Sequence, residues 1–266
     1  MNGQQERVLI TQEGTVGFRP VSGGPPFRAD LARSVRLFRA FGLEQTDPDH
    51  FYGMLARDTV AQLCQYTGID GATILDIGGG AGYFSDALRD AGGRVVCVDC
   101  DAGELRGLRG AFPAGSVLGS ALALPFADGT ADICFSSNVL EHVPQPEAMA
   151  DEMVRVTRSG GIVYLSYTNW LSPWGGHETS PWHYLGGDRA ARRYERRRGH
   201  GPKNRFGESL YAVSVAQVLR WARSRTDVEI LSMGPRYHPR WATWVVAVPG
   251  LREVVTWNLL LVLRKR

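Results

Sequence analysis

The hydrophobic positions of the chain change their spacing several times, and each change marks a different kind of element. Over residues 28–42 the apolar side chains recur every three or four positions, which predicts an amphipathic helix. These side chains are Leu31, Val35, Phe38 and Phe41. A second helix is predicted to begin at Pro48, with Thr46 or Asp47 as its N-cap, and to end near Thr67.

Short apolar runs alternate with amphipathic segments in the middle of the chain. The runs predict strands at residues 74–77, 95–98, 117–118, 133–136 and 162–167. The segments between them predict helices at residues 81–91, 103–110 and 146–157. Strands that alternate with helices are typical of a parallel sheet covered on both faces, so the pattern predicts an α/β fold.

The alternation stops at residue 168, and the chain is rich in glycine, proline, tryptophan, histidine and arginine until about residue 208. A helix at residues 213–223, capped by Ser214, and strands at 228–233 and 257–264 complete the pattern. Five parts are predicted: a flexible arm (1–27), a helical cap (28–70), a nucleotide-binding core (71–167), an inserted substrate lid (168–210) and the C-terminal part of the core sheet (211–266).

The composition is that of a globular protein with one large core, since the 266 residues are 44% hydrophobic and 21% charged. No basic segment followed by an apolar run opens the chain, so no signal peptide is expected. The apolar region from residue 241 to 263 is interrupted by Pro249, Gly250, Arg252 and Glu253, which excludes a bilayer span. Core packing is the expectation for the tryptophan-rich residues 236–255.

The four cysteines lie in or beside apolar runs and are predicted to be buried and reduced, which favours a cytoplasmic protein. They are Cys64, Cys97, Cys100 and Cys134. Cys97 and Cys100 form a CxxC pair, but no second ligand pair follows at zinc-site spacing, so no metal site is predicted there.

A glycine-rich turn follows the first predicted strand in the sequence ILDIGGGAG, where Asp76, Gly78, Gly80 and Gly82 alternate with other residues. Glycines let such a turn approach a ligand closely. A dinucleotide-binding turn has a third glycine where this chain has Tyr83. An acid before the turn suits a cation better than a pyrophosphate.

The second predicted strand ends in Asp99, where a carboxylate can accept both hydroxyls of a ribose. The two acids together indicate a nucleoside with a charged amino-acid tail and not NAD. The alternative is a turn that binds nothing.

Four blocks in order resemble the class I S-adenosylmethionine-dependent methyltransferases: ILDIGGGAG, VVCVD, GSALALPFADGTADICFSSNVLEHV and RVTRSGGIVYLS. The resemblance covers about residues 73–167.

The segments SYTNWLSPWGGHE, HYLGG, GHGPKN and RYHPRW further resemble an actinobacterial subgroup of methyltransferase-like proteins whose substrate is unsettled. The resemblance implies a Rossmann-like three-layer sandwich. Its sheet would have seven mostly parallel strands, with an antiparallel last strand at residues 259–263.

The resemblance also implies S-adenosyl-L-methionine as cofactor and a set of residues that bind it. The glycine loop would hold the methionine part, Asp99 the ribose, and residues after the second, third and fourth strands the adenine and its surroundings. The set is Asp76, Gly78, Gly79, Gly80, Asp99, Cys100, Ser120, Ala121 and Asn138. Ser120 stands where the family often has aspartate, so its contact with adenine is expected to be weaker.

Residues after the fourth and fifth strands are the candidates for acceptor chemistry, because ligands bind at the carboxyl ends of parallel strands. His177 and then His183 are the candidate bases, and Glu178 could orient either one. A folded aromatic cap with structural histidines is the alternative. Glu141 and His142 are interpreted mainly as a hydrogen-bonded pair, as in many proteins of the family they resemble. Some quinone-directed relatives hold a divalent ion at similar positions, but no third carboxylate completes such a site here.

Residues 188–205 hold eight basic and two acidic side chains, a net charge of +6 against +3 for the whole chain. As a helix the arginines would share a face, which is typical of either a solvated surface or a site for an anionic acceptor. Nucleic acid is less favoured, because one cluster is narrower than the basic surface of an RNA-binding protein.

Three functions remain open. The first is methyl transfer to a small polar or anionic acceptor, on oxygen in a glycan, a lipid-linked compound or a specialised metabolite. The second is an RNA or protein methyltransferase recruited by the arginine cluster. The third is a non-catalytic scaffold with a methyltransferase fold. The intact glycines and Asp99 favour a working cofactor site. They do not identify an acceptor or an oligomeric state.

Overall fold

The computed structural model describes residues 27–44, 46–106, 112 and 115–266. The predicted flexible arm, residues 1–27, lies outside the described residues except for Phe27. No helix within the described ranges is both long enough and apolar enough to cross a membrane.

In the described part of the chain, seven strands form one sheet in the order β3-β2-β1-β4-β5-β7-β6. The strands are β1 Thr73–Ile77, β2 Arg94–Asp99, β3 Ser116–Leu118, β4 Ala131–Ser137, β5 Thr157–Thr168, β6 Val228–Pro235 and β7 Asn258–Lys265. Neighbours among β1 to β5 pair in parallel, whereas β7 runs antiparallel to both β5 and β6. The predicted seven-stranded sheet with an antiparallel last strand is confirmed.

Helices cover both faces of this sheet. The α-helices are α1 Leu31–Phe41, α2 Pro48–Leu63, α3 Tyr83–Asp90, α4 Ala102–Arg106, α5 Pro146–Val156, α6 Gly187–Arg198, α7 Val215–Ser224 and α8 Leu251–Val255. Asp47 caps α2 by accepting from the His50 N–H at 3.1 Å, and Ser214 caps α7 through the Gln217 N–H at 3.1 Å. Residues 107–110 of the predicted helix 103–110 lie outside the described residues.

Two apolar cores, one on each face, make the fold a three-layer sandwich. Met153 of α5 and Leu219 of α7 lie in the core on one face of the sheet. Leu37 of α1, Leu55 of α2 and Leu88 of α3 lie in the core on the other face. The two N-terminal helices are therefore part of the main structure, because burial of their apolar faces stabilises them against the sheet.

A buried arginine ties these two helices to the end of β6. Arg33 of α1 is 2% exposed and donates through Nε and NH2 to Asp58 of α2, at distances of 2.6–3.1 Å. Its NH1 group also donates to the carbonyl oxygen of Arg236 at 3.0 Å. The Arg236 side chain, itself buried, donates to the hydroxyls of Ser137, Ser166 and Thr59.

Two expectations about burial are wrong in part. Cys97 and Cys134 are buried, but Cys64 is half-buried and Cys100 is exposed, because Cys100 follows the carboxyl end of β2. In the tryptophan-rich stretch, Trp241 and Trp244 are 70% and 55% exposed. They lie in a 3-10 helix, Arg240–Ala247, whose buried side is formed by Ala242, Val245 and Val246.

Candidate functional site

A cavity of about 820 Å³ lies at the carboxyl ends of the parallel strands. Its walls combine the turns after β1, β2 and β4 with parts of α1 and α2 and with residues that follow β6. Cavities that hold small molecules measure about 300–1,000 Å³, so this one has room for a nucleoside cofactor and a second compound.

The turn after β1 favours glycine at three successive positions. Gly78 and Gly80 have φ angles of +71° and +49°, which favour a residue without a Cβ. A Cβ on Gly78 would lie 2.3 Å from Cγ2 of Val139, and one on Gly79 would lie 2.4 Å from Sγ of Cys97. We call Gly78, Gly79 and Gly80 the cofactor loop; all three line the cavity.

Asp99 at the end of β2 is linked to the cofactor loop. Its Oδ2 accepts from the Gly80 N–H at 3.1 Å and its Oδ1 from the Asp101 N–H at 3.0 Å. Burial raises the pKa of this carboxyl, against the opposing effect of these backbone hydrogen bonds. The backbone N–H of Cys100 also donates to this carboxylate. The side chain lines the cavity, and a carboxylate has about four acceptor positions, so Asp99 fits a contact with the hydroxyls of a ribose.

Eight of the nine predicted cofactor residues line this one cavity. They are Gly78, Gly79, Gly80, Asp99, Cys100, Ser120, Ala121 and Asn138. Asn138 has a φ of +58°, and its Oδ1 accepts from Nδ2 of Asn258 at 2.6 Å. Ser120 accepts from the Leu122 N–H at 3.2 Å through Oγ. The hydroxyl hydrogen of Ser120 is therefore still available to a ligand.

Asp76 is placed differently, below the cofactor loop and outside the cavity lining. The side chain is 1% exposed, and its Oδ2 accepts from the Ser85 hydroxyl at 2.7 Å. Burial raises the pKa of this carboxyl to about 6, although the Ser85 hydrogen bond opposes the shift. Asp76 thus supports the loop from beneath, at a cost in stability whenever it is ionised.

Replacing Asp76 by asparagine is expected to stabilise the protein at neutral pH. An aspartate with an unfolded pKa near 4 and a folded pKa of about 6 loses stability as pH rises between these values, up to about 3 kcal/mol. The Asp76→Asn variant keeps an acceptor for Ser85 but has no charge. Urea unfolding should show the variant about 1–3 kcal/mol more stable at pH 7.5 and no more stable at pH 4. An equal gain in stability at both pH values would contradict the interpretation that Asp76 is buried and ionised at pH 7.5. Asp90→Asn, which removes a carboxylate at an exposed site, is the control and should change stability little.

The cavity has a second part whose walls are aromatic. We call this part the aromatic compartment; it is formed by Phe41, Phe51, Tyr52, Tyr83, Tyr237 and Trp257. Tyr52 and Tyr83 stack with centroids 5.4 Å apart, and Trp257 lies 5.2 Å from both Phe41 and Tyr237. The sequence patterns did not indicate this compartment, because its rings come from both ends of the chain.

Two of the three predicted catalytic residues lie away from the cavity wall. His183 is 1% exposed, and its ring packs against Trp170 and Tyr184. Its Nε2 lies 3.1 Å from the Ser172 carbonyl oxygen. Glu178 accepts from Nδ2 of Asn204 at 2.9 Å, at the surface. Both residues make contacts within the segment 168–210, as side chains that stabilise this segment would.

His177, the third predicted catalytic residue, lies behind the cavity wall. Its ring centroid is 5.0 Å from that of His142, which does line the cavity. Burial, with smaller contributions from the neighbouring His142 and His183, lowers the pKa of His177 to about 3. A histidine with so low a pKa is neutral at physiological pH and is a weak proton acceptor.

Comparisons with known proteins agree with this geometry. The family model described as a methyltransferase domain matches residues 75–165. A protein of Mycolicibacterium gilvum, named an uncharacterized methyltransferase, is 55% identical over 246 residues, which are 89% of this chain and 96% of that protein. A protein of the same description from Mycobacteroides abscessus is 51% identical and covers 90% and 96% of the two chains.

Solved structures share the fold at lower identity. An S-adenosylmethionine-dependent methyltransferase of Mesorhizobium loti superposes with a TM-score of 0.54 at 18% identity, covering 79% of this chain and 98% of that one. A protein of the same class from Listeria monocytogenes gives 0.52 at 15% identity, with coverage of 80% and 99%.

The strand order, the family match and the relatives identify an S-adenosylmethionine-dependent methyltransferase. The chain belongs to the methyltransferase family that includes the M. gilvum and M. abscessus proteins, as the resemblance to an actinobacterial subgroup implied. It is an enzyme whose cofactor is S-adenosyl-L-methionine, which supplies an electrophilic methyl group on sulfur when bound.

Proposed function

We propose that the enzyme methylates a hydroxyl oxygen of a small polar or anionic acceptor that lies in the aromatic compartment. A lipid-linked compound, a glycan or a specialised metabolite with a flat or apolar face would fit. The observation that carries the proposal is the continuity of one cavity from the cofactor loop to the ring-lined wall. An acceptor in that compartment would lie beside the cofactor without leaving the cavity.

The walls favour a small molecule over a macromolecule. Aromatic side chains supply large apolar contact areas, and small-molecule sites combine such walls with a few polar groups. Lys203, Asn204, Glu208 and Ser209 bring polar groups to the same cavity from the predicted lid, residues 168–210. This contribution supports the proposal that the segment covers the acceptor.

The arginines of α6 support an anionic acceptor only indirectly. Arg189, Arg192, Arg196 and Arg197 are exposed and make no ion pair within the described ranges of the chain. None of them lines the cavity, whereas Lys203, from the same basic stretch, does. Lys203 forms an ion pair with Glu104, also of the cavity, at 3.0 Å. We therefore propose that a bound anion would compete with Glu104 for Lys203 and that the helix arginines act at longer range.

Methyl transfer places few chemical demands on the side chains. The sulfur leaving group needs no acid, so the main task is to hold the acceptor oxygen close to the methyl carbon. An acceptor hydroxyl must also lose its proton. Among the predicted catalytic residues, only His177 lies next to the cavity wall, and its low pKa makes it a poor base. We propose that His177 positions the ring of His142, which lines the cavity at the acceptor end.

Replacing Trp257 by alanine is expected to raise the acceptor KM at least tenfold while the dissociation constant of S-adenosylmethionine stays within twofold. Loss of one aromatic wall removes roughly 1.5–3 kcal/mol of apolar contact, and about 1.4 kcal/mol is a factor of ten. The acceptor is first found by mass spectrometry in panels of hydroxylated lipids, glycans and metabolites, with RNA included.

Trp241→Ala is the matched control, because Trp241 is 70% exposed and does not line the cavity. Unchanged cofactor affinity shows that the Trp257→Ala variant is folded. The proposal fails if methyl transfer occurs only on RNA, falls steeply with salt and is insensitive to Trp257→Ala.

A further inference from the structure

Three side chains from distant parts of the sequence meet beside the aromatic compartment. Glu141 and His142 belong to a short 3-10 helix after β4, and His177 begins a 3-10 helix in the lid. One ligand atom of each lies within 4.8 Å of the other two. We call these residues the His–Glu cluster. The sequence analysis predicted no metal site at Glu141 and His142, because no third carboxylate completes one there. The third member found in the structure is a histidine from a distant part of the chain.

Two buried atoms of this cluster have no hydrogen-bond partner among the described residues. Glu141 is 1% exposed; its Oε1 accepts from the Thr168 N–H at 2.9 Å, but its Oε2 is unpartnered. Nε2 of His177 is likewise buried and unpartnered. A buried polar atom without a partner costs about 1–3 kcal/mol, so two of them in one cluster indicate a ligand that both would bind.

The third residue, His142, is oriented as metal-binding histidines are. Its Nδ1 lies 2.6 Å from the carbonyl oxygen of Ser209. A carbonyl can only accept, so Nδ1 carries the proton and Nε2 keeps its lone pair. A backbone carbonyl on the second ring nitrogen is the usual arrangement that fixes the tautomer of a metal-bound histidine.

We infer that Glu141, His142 and His177 bind one divalent transition-metal ion, for which zinc is the best match. Two imidazoles and one carboxylate form a known set of ligands for zinc in enzymes. Magnesium and calcium prefer oxygen ligands, so two histidines disfavour them. Nitrogen and oxygen ligands of a tetrahedral zinc lie about 3.4 Å from one another, so the side chains of the cluster would have to rotate together by up to about 1.4 Å to hold an ion.

The backbone of His177 supports this assignment. Its φ of +49° lies in the left-handed region, which costs a non-glycine residue about 1–2 kcal/mol. This conformation turns the ring toward His142. An ion bound there would join the lid to the loop after β4, so the lid position would depend on the metal.

Three protein ligands leave a fourth coordination position. His142 lines the cavity, so the ion would lie next to the acceptor compartment. If the proposed O-methylation is correct, an acceptor hydroxyl could take that position. The metal inference itself does not depend on the acceptor, because its test measures binding alone.

The test is a titration of metal-stripped full-length protein with Zn²⁺ by calorimetry and with Co²⁺ by visible absorption. We expect one ion per chain and at least tenfold weaker binding in Glu141→Gln and His177→Asn. Glutamine keeps the acceptor for Thr168, and asparagine tolerates the left-handed backbone, so both variants should fold. His50→Asn and Cys100→Ser, which change an exposed imidazole and the exposed thiol, should bind as tightly as the wild type.

A second readout follows the lid without any acceptor. Trypsin can cut the exposed arginines of α6, a helix that contacts the 3-10 helix of His177. Zinc should slow this cleavage at least threefold in the wild type and in His50→Asn, but not in His177→Asn. The inference is overturned if the wild type binds no ion, if both ligand variants bind it unchanged, or if binding is lost with Cys100→Ser. A failure to find methyl transfer to hydroxyls would contradict the proposed function and leave these results unaffected.

Discussion

Replacing Asp99 by alanine is expected to weaken the binding of S-adenosylmethionine at least tenfold, with no comparable loss of fold stability. A hydrogen bond to a charged group contributes about 1.5–3 kcal/mol, and Asp99 presents two carboxylate oxygens to the cavity. The same carboxylate holds the Gly80 N–H, so its removal also frees the cofactor loop. Calorimetric titration with S-adenosylmethionine and S-adenosylhomocysteine measures the effect.

Two further variants test whether the negative charge of Asp99 and its place in the cavity are both needed for cofactor binding. Asp99→Asn keeps an acceptor near Gly80 without the charge and should lie between the wild type and Asp99→Ala. Asp90→Ala removes an exposed carboxylate at the end of α3 and should leave affinity unchanged. Equal affinities for S-adenosylmethionine in the wild type and Asp99→Ala would contradict the expectation that Asp99 binds the ribose.

Replacing Arg33 by alanine is expected to lower the free energy of unfolding by about 3–5 kcal/mol. Removing one partner of a buried ion pair leaves the other charge uncompensated, and Asp58 has only 10% of its side chain exposed. The variant also loses the hydrogen bond that joins α1 to Arg236. Urea unfolding followed by circular dichroism measures the change.

The neighbouring Arg36 provides the matched control. It also approaches Asp58, at 3.9 Å, but its side chain is 60% exposed. Exposed ion pairs contribute about 0–1 kcal/mol, so Arg36→Ala should have little effect. Similar losses in the two variants would show that the total charge around Asp58 matters and not the buried geometry at Arg33.

The sheet and the cofactor site could be predicted because their signals are local. Each strand is a short apolar run, and the bounds of β1, β2 and β6 differ from the predicted ones by two residues or fewer. The cofactor loop and Asp99 lie within one strand–turn–helix–strand unit, so their spacing along the chain determines their spacing in the fold. The N-caps at Asp47 and Ser214 are local in the same sense.

The aromatic compartment and the His–Glu cluster could not be predicted, because they depend on contacts between residues that are distant in the sequence. Trp257 meets Phe41 only once β7 has inserted between β5 and β6. His177 meets His142 only once the segment 168–210 has folded, and no periodicity in the sequence predicts that contact. The exposure of Trp241 was missed for a related reason, since a 3-10 helix with one buried side leaves large rings on the other.

The aromatic compartment takes its rings from residues 41–83 and 237–257, whereas the residues proposed for the cofactor lie between 76 and 138. On the proposed assignments, recognition of the methyl donor and recognition of the acceptor depend on largely separate stretches of the sequence, with Tyr83 as the exception. Substitutions in the outer stretches would then change acceptor preference without disturbing cofactor binding. Relatives with the same glycine loop would differ in what they methylate wherever these rings differ.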